Sequence, residues 1–219
     1  LIEPILEQFT EQTGVKANVV FAKKGLIERL KREGKHTQAD LVLTSNFSAL
    51  MQLQEMSLTQ TISSDKVDAN IPAGFRDPQG QWVALTKRVR NVYSSKGRVG
   101  KLDSLRYEDL ATDAYKNKVC MRPGKHPYNL ALVASMIAHH GEVQTKQWLE
   151  GLKANLARKP QGNDRAQVKA VKEGLCDVAI GNSYYFGKML QDEQQKEWAD
   201  SVFINFPNQQ DRHQSRQSL

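Results

Sequence analysis

Apolar residues along the chain recur with two periods, and the alternation between them lays out the fold. Leu1, Ile2, Ile5, Leu6 and Phe9 fall on one face of a helix that Gly14 stops. Val15–Phe21 is predicted as a strand, and Gly25–Glu33 as an amphipathic helix ended by Gly34. Ala39-Asp40-Leu41-Val42-Leu43-Thr44 is a near-continuous apolar run, the pattern of a strand buried on both faces of a parallel sheet. A helix over Ser45–Gln54 follows. Strand and helix alternating at this spacing predict βαβ units and an α/β fold.

The stretch from Ser57 to Gly80 holds Pro72, Gly74, Pro78 and Gly80 and carries no clear period. It leads into Trp82–Tyr93, long for a strand when most run about 5–6 residues, so this segment is expected to pass between two lobes. A second set of elements comes after it. The pattern gives a turn and helix over Ser104–Asp109, a strand over Lys118–Met121 and a helix over Tyr128–His140 closed by Gly141. Next are a helix over Val143–Ala154, a short strand at Ala157–Arg158 and a helix over Asp164–Glu173 closed by Gly174. A strand over Cys176–Gly181, a helix from Ser183 to Trp198 and a strand over Ser201–Phe206 complete the set. Residues 211–219 are polar and aperiodic and predict no element. The expected organisation is two hinged α/β lobes: residues 1–88 with 205–219 form the first, which looks incomplete, and residues 89–204 form the second. Leu1, standing where an initiator methionine would be, leads to the further expectation of a processed product or fragment.

Composition narrows the function classes. The chain has 219 residues, 39% hydrophobic and 25% charged, ordinary for a globular protein. No apolar run approaches the ~18–20 residues needed to cross a bilayer. The net charge of +7 and pI near 9.4 admit an anionic partner. The basic residues are scattered, however, as Lys23-Lys24, Lys31-Arg32, Lys87-Arg88 and Arg158-Lys159, without the long basic block or aromatic motif of a nucleic-acid binder. Solvated charge around one anion pocket is the expectation, with no nucleic acid. G-x-S-x-G, Walker A and G-x-G-x-x-G are all lacking, and nothing in the sequence argues for catalysis.

The candidate chemistry lies in the tyrosines. Of 6 in the chain, Tyr128, Tyr184 and Tyr185 stand at predicted strand-to-helix junctions, the edge where open α/β sheets bind ligands. Three phenolates would form a cage of hard oxygen donors matched to a trivalent cation. Free tyrosine has a pKa near 10, so such a cation must drive the protons off, and binding should weaken in acid. The competing role is core aromatic, with hydroxyls hydrogen-bonded. Ser183 is expected to cap the helix that carries Tyr184 and Tyr185. Arg122-Pro123-Gly124-Lys125-His126-Pro127-Tyr128 forms a tight loop with Pro127 at a first helical position. The Gly124 and Lys125 backbone at that helix start is an anion-site candidate, and Arg88 or Arg90 is available to hold the anion or to pair at the surface. His126 is a possible ligand or an ordinary loop histidine; His139-His140 suits a helix C-terminus. Asp40, Asp164 and Asp177 show no paired carboxylate and are read as strand-edge or capping residues. Cys120 and Cys176 sit at the ends of two predicted core strands, either as a disulfide or as two buried thiols.

With these residues assembled, the chain resembles the periplasmic ferric-ion-binding proteins of bacterial iron(III) ABC transporters, the transferrin-like binding proteins. The resemblance rests on Arg88-Val89-Arg90 before Tyr93, on Gly124-Lys125-His126-Pro127-Tyr128-Asn129, on the run Gly151–Arg165, and on Gly181-Asn182-Ser183-Tyr184-Tyr185. It extends from residue 1 to about residue 211. It implies a two-lobe type II periplasmic binding fold, with Fe(III) held by Tyr128, Tyr184 and Tyr185 and a carbonate or similar anion near Arg88, Arg90, Gly124 and Lys125. It further implies a monomeric periplasmic protein, a Cys120–Cys176 disulfide in that oxidising compartment, and delivery of iron to an inner-membrane ABC permease. Family members carry a strand before the first helix and a long continuation after the return strand, so the resemblance implies truncation at both ends. The same fold also serves binding proteins for oxyanions, thiamine and polyamines, and a non-functional fragment is a further alternative.

Overall fold

The run from Trp82 to Tyr93 divides into two pieces, and the division organises the structure. The structure is a computed structural model that describes residues 2–22, 25–45 and 47–209. Trp82 and Val83 turn back on the preceding loop: Val83 bridges Arg76, and the Asp77 carboxylate accepts from the Gln81 amide at 3.0 Å. Only Arg90–Ser95 (β1) is a strand, and every residue of it is buried. The chain falls into two compact units, Leu1–Leu85 and Thr86–Leu219.

The first unit contains four α-helices among its described residues: α1 (Glu3–Thr13), α2 (Leu26–Glu33), α3 (Phe47–Glu55) and α4 (Asp65–Asn70). The breakers act as the sequence indicates, with Gly14 ending α1 in the left-handed region at φ 72°. Its core is thin; Leu30 and Leu53 are the buried hydrophobic side chains among its described residues. Neither strand expected at residues 15–21 and 39–44 forms. No described segment pairs with them, and Phe21 and Leu41 are 74% and 88% exposed. An extended segment becomes a strand only when a neighbour takes up its N–H and C=O groups, so the apolar pattern alone makes no strand there. The aperiodic tail at residues 211–219 and the Leu1 end of the first helical face lie outside the described residues.

The second unit is built on a mixed sheet of β2 (Val119–Cys120), β3 (Val178–Asn182), β1 and β4 (Val202–Asn205), in the order β2-β3-β1-β4. β3 and β4 run antiparallel to β1, with Val92 opposite Ile180 and Tyr93 opposite Ile204, and β2 runs parallel to β3. Alternate side chains feed two cores on opposite faces. Val92, Val119, Val178 and Ile180 pack with Leu132, Met136, Trp148 and Leu152 of α5 (Pro127–Ala154). Tyr93, Cys120, Ala179 and Val202 pack with Val168 and Val171 of α6 (Asp164–Lys172) and Met189 of α7 (Tyr184–Leu190). Each fully buried aliphatic side chain contributes about 1.5–3 kcal/mol.

Gly141 separates two helices within α5 as the sequence indicates, its φ of 77° and ψ of 169° being non-helical. Other expected boundaries shift. The helix expected from Ser183 to Trp198 is two, α7 and α8 (Lys196–Asp200), because the Asp192 carboxylate accepts from the Gln194 and Gln195 amides and starts a new turn. The strand at Ala157–Arg158 reduces to a bridge between Leu156 and Val119. Cys120 and Cys176 form a disulfide with Cα atoms 5.8 Å apart, tying β2 to the segment before β3. Among the described residues, no helix is long and apolar enough to cross a membrane.

Candidate metal and anion centre

Two junctions on the sheet edge bring the phenols together. β3 runs out at Asn182, and Tyr184 opens α7 directly after it. Pro127 occupies the first turn of α5, where its missing N–H costs nothing, and Tyr128 follows it. The Tyr128 and Tyr184 hydroxyls are hydrogen-bonded at 3.2 Å, and the Tyr184 and Tyr185 rings lie 4.2 Å apart between centroids. All three are half-buried. Gly181 is needed just before them: a Cβ there would lie 2.6 Å from the Tyr93 ring, whose hydroxyl donates to the Asn182 carbonyl at 2.8 Å.

Ser183 does not cap α7 with its side chain, contrary to expectation. Its backbone is already helical, at φ −59° and ψ −36°, whereas a hydroxyl cap needs an extended residue. Its amide donates instead to the Val89 carbonyl at 2.9 Å. His126 does the capping at α5, with Nδ1 accepting from the Tyr128 amide at 3.2 Å, so its remaining proton sits on Nε2. Burial and the nearby Arg122 charge hold this imidazole below the usual histidine range, which keeps it neutral.

The surroundings of the phenols are strongly cationic. The guanidinium carbons of Arg122, Arg88 and Arg90 lie 5.2, 5.6 and 5.9 Å from the Tyr128 ring centre. Arg165 lies 5.9 Å from the Tyr185 ring and the Lys188 ammonium 5.7 Å from that of Tyr184. Two of them share one carboxylate: Asp164, fully buried, pairs with Arg90 at 3.3 Å and Arg122 at 3.2 Å. Arg90 is thus buried and committed, with Nη1 donating to Asn182 Oδ1 at 3.0 Å and Nη2 to Asn129 Oδ1 at 2.6 Å. It is no surface ion pair. Gly124 and Lys125 are exposed on the loop beside Tyr128.

In the protein as it stands, Tyr184 is held above its ordinary pKa by burial first, and then by its hydrogen bonds with Tyr128 and Tyr185. A neutral hydroxyl that shares its proton in this way resists ionising. Among the described residues, no group of three His, Cys, Asp or Glu side chains is placed to hold a metal ion. The hard oxygen donors gathered at one point are therefore the phenols.

Four residues of this site escape a reading by sequence. Asp164 has no carboxylate partner in the sequence, and its two arginine partners lie 74 and 42 positions away. Asn129 and Asn182 look like ordinary helix and strand-end residues. Arg122 heads the Gly124 loop, and its position before Pro123 was the one available signal.

The fold is that of the type II periplasmic binding proteins. The chain belongs to the bacterial extracellular solute-binding protein family, whose sequence profile matches residues 36–209. It is 39% identical over 208 residues to iron uptake protein A1 of Synechocystis sp., an alignment covering 94% of this chain and 58% of that relative. Among solved structures it resembles ferric iron-binding protein A of Mannheimia haemolytica in an open conformation, at 56% identity and TM-score 0.87, covering 94% of this chain and 66% of that one. It also resembles the Trichodesmium protein IdiA (FutA) in complex with iron and citrate ligands, at 37% identity and TM-score 0.88, covering 95% of this chain and 67% of the other. The chain thus spans little more than half the length of that curated relative.

Proposed function

We propose that the protein captures ferric iron through the phenolates of Tyr128, Tyr184 and Tyr185 and passes it to an inner-membrane ABC permease. The observation that carries this reading is the convergence of the Tyr128 and Tyr184 hydroxyls at 3.2 Å, with the Tyr185 ring centre 4.2 Å from that of Tyr184. Three phenolates neutralise a 3+ ion, and five cationic side chains lie within 6 Å of the three ring centres. Ferric iron prefers six oxygen donors, so positions remain for an anion. Arg88 and the Gly124–Lys125 loop hold that anion in this proposal, with carbonate as the first candidate. The citrate bound with iron in the Trichodesmium protein makes a carboxylate anion the second. The names of relatives support iron as cargo and uptake as the role, and that of a Serratia marcescens relative, Fe(3+)-binding periplasmic protein, supports a periplasmic location. The protein acts as a monomer in this reading.

Ferric citrate added to the purified chain should produce the coloured phenolate-to-iron charge-transfer band. Tyr184→Phe and Tyr185→Phe should each weaken or abolish it; a band unchanged in both variants contradicts the assignment. The three arginines around Tyr128 favour one other reading, a binding protein for an oxyanion with the phenols as cleft lining. Calorimetric titration with phosphate or citrate in the absence of iron separates the two, because only the second reading expects tight binding there.

A further inference from the structure

We infer that Arg90 is a positioning residue: its guanidinium clamps together the two strand-to-helix junctions that carry the phenols, and Asp164 holds the clamp in place. The inference rests on the iron-binding reading and concerns what sets its geometry. Arg90 sits on β1 directly opposite Asn182, in the antiparallel register. Through Nη1 it donates to Asn182 Oδ1 at 3.0 Å, two residues before Tyr184. Through Nη2 it donates to Asn129 Oδ1 at 2.6 Å, the residue after Tyr128. Asn129 then spends its own amide on the loop that leads into α5, donating to the Arg122 carbonyl at 3.0 Å and the Pro123 carbonyl at 3.2 Å. A single planar group therefore spans both phenol-bearing segments, and the chain of bonds continues into the loop before Tyr128.

Asp164 comes from a third element, the first turn of α6, and is fully buried. Its Oδ1 takes Arg90 and its Oδ2 takes Arg122, which fixes the rotation of both guanidiniums. A rigid fork with donors at fixed angles can hold two amides at once, whereas a lysine ammonium on a flexible stem cannot reproduce that span. Arg90 is itself a cation buried beside other cations: its Nη donors face the scaffold, and Asp164 shares one negative charge between Arg90 and Arg122. Positioning groups of this outer kind tune metal affinity by about 10–100-fold in other proteins.

The test uses the whole chain, with ferric nitrilotriacetate as the iron source. Arg90→Lys and Asp164→Asn should each lower iron affinity by about 10–100-fold and move the maximum of the charge-transfer band, at temperatures where melting shows the variant folded. Wild-type affinity with an unmoved band in folded variants overturns the clamp. If neither variant folds, Asn129→Ser, which removes the Arg90–Asn129 link and leaves both charges in place, carries the same two expectations. A purely structural role lowers the melting temperature without moving the band of the folded protein. Failure of the iron reading itself is distinguishable, because Tyr184→Phe would then leave the band unaltered, whereas failure of the clamp leaves the tyrosine dependence intact.

Discussion

Two apolar hexapeptides in this chain read alike and end differently. Ala39–Thr44 and Cys176–Gly181 both look like buried strands, yet Leu41 is 88% exposed and Ile180 is 0% exposed. The second has β1 and β2 on its two sides, and the first has no paired neighbour among the described residues. Hydrophobic pattern states what a segment would bury; topology decides whether anything is there to bury it. The same contrast holds for the two units, one with Leu30 and Leu53 as its buried hydrophobic side chains and the other with two cores on a four-stranded sheet.

That contrast can be broken by mutation. Ile180→Ala should destabilise the second unit by about 2–5 kcal/mol, the usual cost of a cavity in a packed core, measured by urea denaturation. Replacing both cysteines with serine removes a cross-link spanning 56 positions and should cost about 2–4 kcal/mol. Hydrogen exchange should confine that loss to amides of the second unit. Alkali should act on the same unit. Burial raises Tyr93 and Tyr107 above their unfolded pKa near 10, so the neutral hydroxyls stabilise the fold fully below that pH. The contribution is then lost as pH rises, at about 1.4 kcal/mol per pH unit for each phenol, and a pH series of urea melts reads it directly. Gly181→Ala pushes a methyl into the Tyr93 ring and should cost about 1–3 kcal/mol. Leu41→Ala should stay within about 0.5 kcal/mol, as exposed positions do. A large effect at Leu41 would mean that the first unit buries that side chain in solution, and the contrast would fall.

The site was legible where it depends on local chain chemistry and opaque where it depends on pairing across the fold. Pro127 before Tyr128, and an apolar strand running into Tyr184, mark both junctions in the sequence itself. The Cys120–Cys176 bridge was one of two open readings, because strand adjacency is not written in either segment. Asp164 was passed over as a capping residue, and it does open a helix, but its carboxylate is spent on Arg90 and Arg122. Arg90 was read as an anion holder or surface pair. Its burial follows from β1 lying between β3 and β4, an order the sequence does not state. Ser183 shows the opposite error, a residue of the right type whose backbone is wrong for the role.

Resonance Raman spectroscopy of the chain titrated with ferric iron asks the decisive question, whether deprotonated tyrosines touch the metal. Enhanced tyrosinate ring modes that grow to one iron per chain, and weaken on Tyr128→Phe, are the expected result. Iron bound without those modes, or with modes indifferent to residue 128, would contradict the account.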